Sequence, residues 1–178
     1  MIGKDATKND IYIRPLTPDD WEGFRVIRIR AVNMHTGYVL VRPDKTENQT
    51  PDYWKEILDG QGKQVFGLFD KDKLIGITAV LTLHEDPTGK TGIMAMIFIE
   101  PEYRGKRYSS LFYKTCIDFA KNYLVWDKLT IGHRKGNEPS RKGMTNHGFK
   151  FKETEEIDWP DDTRDIEYRY ELDLNGLR

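Results

Sequence analysis

Phe98-Ile99-Glu100-Pro101-Glu102-Tyr103-Arg104-Gly105-Lys106-Arg107-Tyr108-Ser109-Ser110 is the stretch on which the reading of this chain turns. It closes a nearly unbroken apolar run, residues 92–99, whose composition suits a central strand covered on both faces. Past Arg107, the residues Tyr108, Leu111, Phe112, Cys116, Phe119 and Tyr123 recur at spacings of three and four, the period of a half-buried helix. A buried strand therefore ends, turns through Gly105 and feeds a helix with Lys106 and Arg107 at its mouth. The first turn of a helix carries unpaired backbone N–H groups and a partial positive charge, which suits a phosphate. Mobile cations beside it add to that preference. An ordinary strand-to-helix connection with solvated basic residues has the same sequence, so this stretch alone leaves both readings open.

Upstream, residues 11–16 alternate apolar and polar as a short strand. Thr17-Pro18-Asp19-Asp20 has the side chains of a helix start. Trp21, Phe24, Val26, Ile27 and Ile29 supply its expected buried stripe, with Arg25, Arg28 and Arg30 toward the other side. Residues 43–50 read as a polar loop, and residues 52–58 as a short second helix closed by Gly60 and Gly62. Two strands, residues 64–69 and 74–83, flank a turn at residues 70–73. Downstream come a strand at residues 129–133 and a short helix at residues 139–147, capped by Asn137 and ended by Gly148. Strands at residues 149–151 and 166–172 finish the chain around an acidic connection. The order of elements predicts a mixed α/β sheet of about seven strands with packed helices, and residues 1–178 read as a single domain without repeats.

Composition narrows the partners. Lys+Arg total 28 against 29 Asp+Glu, a formal net charge of -1, so no positive field draws the chain to nucleic acid or an anionic membrane. Neither partner is expected. No run of about 18 apolar residues spans a bilayer, and residues 1–10 are polar, unlike a secretory signal. Cys116, the one cysteine, makes no internal disulfide and no thiolate metal site. It lies on the apolar stripe of its helix and reads as core. The expectation is a cytoplasmic protein without a metal.

A second stretch, His133-Arg134-Lys135-Gly136-Asn137-Glu138-Pro139-Ser140-Arg141 followed by Gly148-Phe149, lies about 30 residues beyond the first. Together, in this order, the two resemble the GNAT acetyltransferase family. Glu100-Pro101-Glu102-Tyr103-Arg104-Gly105-Lys106 is similar to its strand exit and pyrophosphate loop, and Asn137-Glu138-Pro139-Ser140 to its second cofactor motif. Trp21 and Arg25-Val26-Ile27-Arg28 look like its opening, so the resemblance runs over roughly residues 11–172. It implies a mostly antiparallel sheet with helices on both faces, and acetyl-CoA as cosubstrate. It also implies a primary amine acceptor, on a small molecule or a protein, acetylated by direct transfer in a ternary complex. A homodimer is compatible with the resemblance.

Carried over residue by residue, Ile97, Phe98 and Ile99 pair with the pantetheine arm as a peptide pairs with a sheet edge. Arg104, Gly105, Lys106, Arg107, Tyr108, Ser109 and Ser110 hold the pyrophosphate. Asn137 and Ser140 contact the cofactor from the second motif. The cofactor wedges between two parallel strands that splay apart. Two departures stand out. The family favours glycine or alanine where Arg107 and Ser109 stand, and Met144 occupies the place of a tyrosine that gives the departing thiolate a proton. Neither Gly132 nor residues 92–99 offer a carboxylate, and Glu100 and Glu102 read as solvated. His133, at the expected mouth of the splay, is the first candidate base, because imidazole titrates in the useful range. His84, Glu85 and Asp86 form a second candidate patch, and Tyr103 and Tyr108 are spare proton donors. The acidic side chains of residues 153–167 suit a cationic amine or, more simply, a solvated face. The missing tyrosine and carboxylate keep a second class open, a non-catalytic acyl-CoA-binding module.

Overall fold

The computed structural model describes residues 10–178; the polar start read at residues 1–9 lies outside the described residues. Seven strands form one sheet: β1 (Ile11–Pro15), β2 (Lys63–Asp70), β3 (Lys73–Thr82), β4 (Thr91–Ile99), β5 (Lys128–Arg134), β6 (Lys150–Asp158) and β7 (Arg164–Asp173). Their spatial order is β1-β2-β3-β4-β5-β7-β6. Every neighbouring pair is antiparallel except β4 with β5. Helices α1 (Trp21–Met34), α2 (Pro43–Glu47) and α3 (Pro51–Ile57) lead from β1 to β2. Helix α4 (Ser109–Asn122) joins the parallel pair, and α5 (Glu138–Asn146) leads from β5 to β6.

The middle strands are apolar without interruption because both their faces are covered. On one face Ile77, Ala79 and Phe98 pack with Phe24, Ile27 and Trp54 of α1 and α3. On the other, Val80, Met94, Leu129 and Ile131 pack with Tyr113 and Cys116 of α4 and Met144 of α5. Helices on both faces of a mixed, mostly antiparallel sheet are what the sequence and its resemblance imply.

Three local expectations are corrected. In α1, Val26 is 57% exposed while Arg28 is 8% exposed. Phe24, Ile27, Arg28 and Ala31 follow the i, i+3, i+4, i+7 stripe, and Val26 falls opposite. Arg28 lays its stem along that stripe, and burial lowers its pKa. Residues 43–47 form α2 rather than loop, with Pro43 in the first turn and the Thr46 hydroxyl donating to the Arg42 carbonyl. The acidic connection is mostly strand. Acidic side chains line the exposed edge strand β6, where charge discourages pairing with another chain. Several have partners: Glu155 pairs with Arg169, and Glu156 and Asp158 with Arg164. Among the described residues, no helix is long and apolar enough to cross a membrane.

Candidate active site

The parallel pair comes apart. β4 and β5 are in register only from Thr91 to Ile93 and from Lys128 to Thr130; residues 94–99 and 131–134 leave that ladder and border a gap. The cause lies partly in β4, whose register with β3 shifts between Ile77 and Ala79, leaving Met96 and Ile97 as a bulge. Met96 has a φ of 59°, in the left-handed region. A bulge bends its strand and increases the local twist, which turns the end of β4 away from β5. At the closed end Trp126 is fully buried, so near Gly92 that a Cβ there would meet its ring at 2.6 Å.

The mouth of α4 opens beside the gap. Among the described residues, no group accepts a hydrogen bond from the amides of Gly105, Lys106, Arg107, Tyr108 or Ser109. The run stops there: the Ser110 amide donates to the Arg107 carbonyl at 3.1 Å, and its hydroxyl meets His147 Nε2 at 2.9 Å. Ser110, expected among the phosphate-binding amides, is thus already engaged. Gly105 (φ 76°) and Arg107 (φ 63°) are both left-handed. This conformation lets successive amides point to one side, and it is where the sequence departs from glycine at residue 107.

The side chains of the loop divide. Arg107 makes no ion pair among the described residues and is exposed. Lys106 lies over the Tyr103 ring at 5.4 Å. Arg104 turns away from the mouth. Its Nε donates to the Ile99 carbonyl at 2.8 Å, its guanidinium covers the Phe98 ring at 5.5 Å, and it meets His35 Nε2 at 3.1 Å. Burial and then the charge of Arg104 lower the pKa of His35, so its ring accepts from the guanidinium. Ile97 is exposed on the bulge, Ile99 is half-buried and Phe98 buried. Tyr103 donates to Asp70 at 2.9 Å, and that bond raises its pKa, which makes it a poor proton donor. Tyr108 packs against the cluster of Leu68, Ile75 and Phe112.

On the α5 side of the sheet, Asn137 Oδ1 accepts from the Ser140 amide at 3.4 Å and caps α5. Met144 is 2% exposed in the core. His133 is buried, parallel to the Tyr168 ring at 5.4 Å. Its Nδ1 lies 2.8 Å from the Arg134 carbonyl and its Nε2 3.2 Å from the Tyr170 hydroxyl. A carbonyl only accepts, so Nδ1 carries the proton and Nε2 receives the tyrosine's. His133 therefore reaches its surroundings through Tyr170.

The opposite face holds groups that sequence reasoning did not place. Glu100 is 7% exposed, not solvated, and accepts from Arg30 at 2.7 Å. Arg134 donates to Asp165 at 2.9 Å, to Asp161 and the Gly37 carbonyl at 2.7 Å, and to Thr163 at 2.6 Å. It also lies over the Trp159 ring at 4.9 Å. One side chain at the end of β5 thus ties the β6–β7 hairpin tip to the loop after α1. Glu167 is buried and lies across Gly132, where a Cβ would stand 2.7 Å from Oε1. The patch at His84, Glu85 and Asp86 sits in the turn before β4, at the closed end of the pair. There Asp86 is spent on Thr88, and its pKa falls to about 2 through hydrogen bonds, first from Thr91 and then from Thr88.

Comparison with known proteins agrees with this fold. Residues 10–150 match the family model described as an acetyltransferase (GNAT) domain. No curated protein matches the chain in sequence. The fold is similar to an acetyltransferase of the GNAT family from Streptococcus pneumoniae, with TM-score 0.77 and 16% identity over 91% of this chain and 98% of that one. It is similar to a ribosomal-protein-S5-alanine acetyltransferase from Vibrio fischeri, with TM-score 0.78 and 16% identity over 96% and 97%. A spermidine N-acetyltransferase from Vibrio cholerae, solved with CoA and spermine, gives TM-score 0.71 and 16% identity over 94% and 98%.

Proposed function

The chain belongs to the GNAT acetyltransferase family, and on that premise we infer that it moves an acetyl group from acetyl-CoA to a primary amine by direct attack in a ternary complex. The observation that carries this reading is the run of five amides, Gly105 to Ser109, left without acceptors beside a gap between parallel strands. A diphosphate satisfies such amides, and Lys106 and Arg107 add charge. The free edge of β4 at Ile97, Phe98 and Ile99 takes the pantetheine arm, and Asn137 and Ser140 meet the cofactor at the start of α5. We read the described residues as one catalytic domain. The acceptor is a small or protein-borne amine. Among the structural neighbours whose names state an acceptor, one acts on a ribosomal-protein alanine and one on spermidine, which supports that breadth.

The chemistry asks for two proton movements. The amine is mostly protonated near neutral pH and must lose a proton to attack. The acylated nitrogen must then lose a second one; an alkyl thiol titrates at about 8.5, so the departing sulfur leaves as a thiolate even with Met144 in the tyrosine's place and takes up that proton afterwards. His133, with Tyr170 on its Nε2, is the proton-handling pair of the cofactor's side. The burial of Met144 in the core favours one second reading, an acyl-CoA-binding module without catalysis.

Two measurements together test the proposal: calorimetric binding of acetyl-CoA, and thiol release across a panel of polyamines and peptide amines. Cys116 is fully buried and its thiol is pushed up to about 12 by burial. A thiol reagent therefore reports released CoA without background from the native protein. Binding with release on at least one amine is the expected outcome. Binding with no release on any amine supports the module, and no binding at all overturns both readings.

A further inference from the structure

Gly132 has no carboxylate of its own, and the fold brings one there from another strand. Glu167, on β7, is 9% exposed, and its side chain reaches across β5 onto Gly132. A Cβ at residue 132 would stand 2.7 Å from Oε1, 3.1 Å from Cδ and 3.3 Å from Cγ, so a side chain there would push the flexible carboxylate aside. Gly132 lies just past Thr130, the last β5 residue in register with β4. The carboxylate therefore sits over the strand that borders the gap. Residues alternate sides along a strand, so it occupies the face opposite to His133.

Its two oxygens are unequal. Oε2 accepts from Arg169 Nε at 2.7 Å. Oε1 has no donor among the described residues. Arg169 also pairs with Glu155 on β6, so one guanidinium serves two carboxylates and the group is one positive charge short. A buried carboxylate that lacks a full counter-charge favours a cation at its open oxygen. The other charged groups facing it are Glu155, opposite Glu167 on β6, Glu153, opposite Arg169, and Arg134, opposite Glu167 in the β5–β7 register and already bound to Asp161 and Asp165.

We propose that Glu167 is a catalytic residue of the transfer inferred above, receiving the acceptor amine's proton on Oε1. The ammonium of the acceptor donates to Oε1 and passes its proton there. The freed nitrogen lone pair forms the bond to the thioester carbonyl carbon. The carbon–sulfur bond breaks with its electron pair on sulfur, the second proton of the acylated nitrogen passes to that sulfur, and the products are the neutral amide and the CoA thiol. The proton held by Glu167 returns to solvent. The proposal rests on the acetyltransferase reading and adds the residue that makes the amine a nucleophile.

The test compares wild type with Glu167→Gln and Gly132→Ala. Acetyl-CoA affinity and kcat/KM for an amine that the wild type acetylates are followed across pH. Glutamine keeps the shape and can still accept from Arg169, so the fold is preserved. The expected result is an unchanged acetyl-CoA Kd with kcat/KM lowered about 100-fold near neutral pH. That deficit narrows as the pH approaches the amine's own pKa near about 10, where free amine needs no base. Gly132→Ala, which displaces the carboxylate, lowers kcat/KM in the same direction. A Glu167→Gln enzyme with wild-type kcat/KM and pH profile overturns the proposal, as does a loss confined to acetyl-CoA binding. Wild type that binds acetyl-CoA but releases no thiol with any amine removes the catalytic reading itself, and the role of Glu167 with it.

Discussion

Arg107 holds a left-handed backbone that costs an L-residue about 1–2 kcal/mol and glycine nothing. Glycine returns part of that as extra freedom in the unfolded chain. Arg107→Gly is therefore expected to stabilise the protein by up to about 1 kcal/mol, or about 2–4 °C in Tm. Arg107→Ala keeps the strain and removes the charge. Should the guanidinium assist the diphosphate, both variants weaken acetyl-CoA binding at low salt, and the difference from wild type shrinks at high salt. Calorimetry at two ionic strengths and a thermal melt separate the backbone's part from the charge's. The departure at residue 107 was legible in the sequence because it interrupts a glycine pattern. Its conformation was not, since nothing in an arginine signals a positive φ. Glu167 was hidden for a different reason: in sequence it is one of many late acidic residues, and only Gly132 beneath it sets it apart.

Among the elements, the β6–β7 hairpin depends on a residue outside it. Arg134 holds Asp161, Thr163 and Asp165 and reaches the loop after α1 at Gly37. The Thr163 hydroxyl and then Arg134 lower the Asp161 pKa from the usual 3.8 to about 2. A carboxylate depressed in the folded state contributes stability that is complete above its unfolded pKa and is lost as pH falls through the folded one. The tip is therefore expected to stay closed above about pH 4 and to loosen between there and about pH 2. The Trp159 indole N–H donates to the Asp165 carbonyl, so its proton resonance reports the change. In Arg134→Ala the tip is loose already at neutral pH, with faster amide exchange at residues 159–163 than in β4. An indole signal unchanged by acid and by that variant would remove the clamp. Charged residues dominate this region, so its sequence reads as an acidic connection. An edge strand tolerates charge on both faces, so composition alone does not separate it from a loop.

For the molecule as a whole, the gap depends on a closed end as much as on an open one. Trp126 is fully buried, donates to the Thr82 hydroxyl at 3.1 Å and packs under Gly92, where β4 and β5 are still paired. Trp126→Ala removes the largest side chain at that junction and is expected to cost about 3–5 kcal/mol, read as a lower denaturant midpoint. Trp126→Phe, which keeps most of the volume, is expected to cost less. If the alanine variant unfolds like wild type, the closed end is held by something else.

The sequence by itself determined the order of the seven strands and of the helices other than α2, the doubly covered central strand, the helix mouth behind it and the residues that resemble a pyrophosphate loop. Periodicity, capping and turn chemistry act over a few neighbouring residues and can be read in place. Only the tertiary structure decided where the parallel strands part, which way Arg104 and His133 face, and that Glu167 comes to rest on Gly132. Strand pairing, a bulge at Met96 and the alternation of faces bring distant residues together, and no local pattern records a contact made across a sheet.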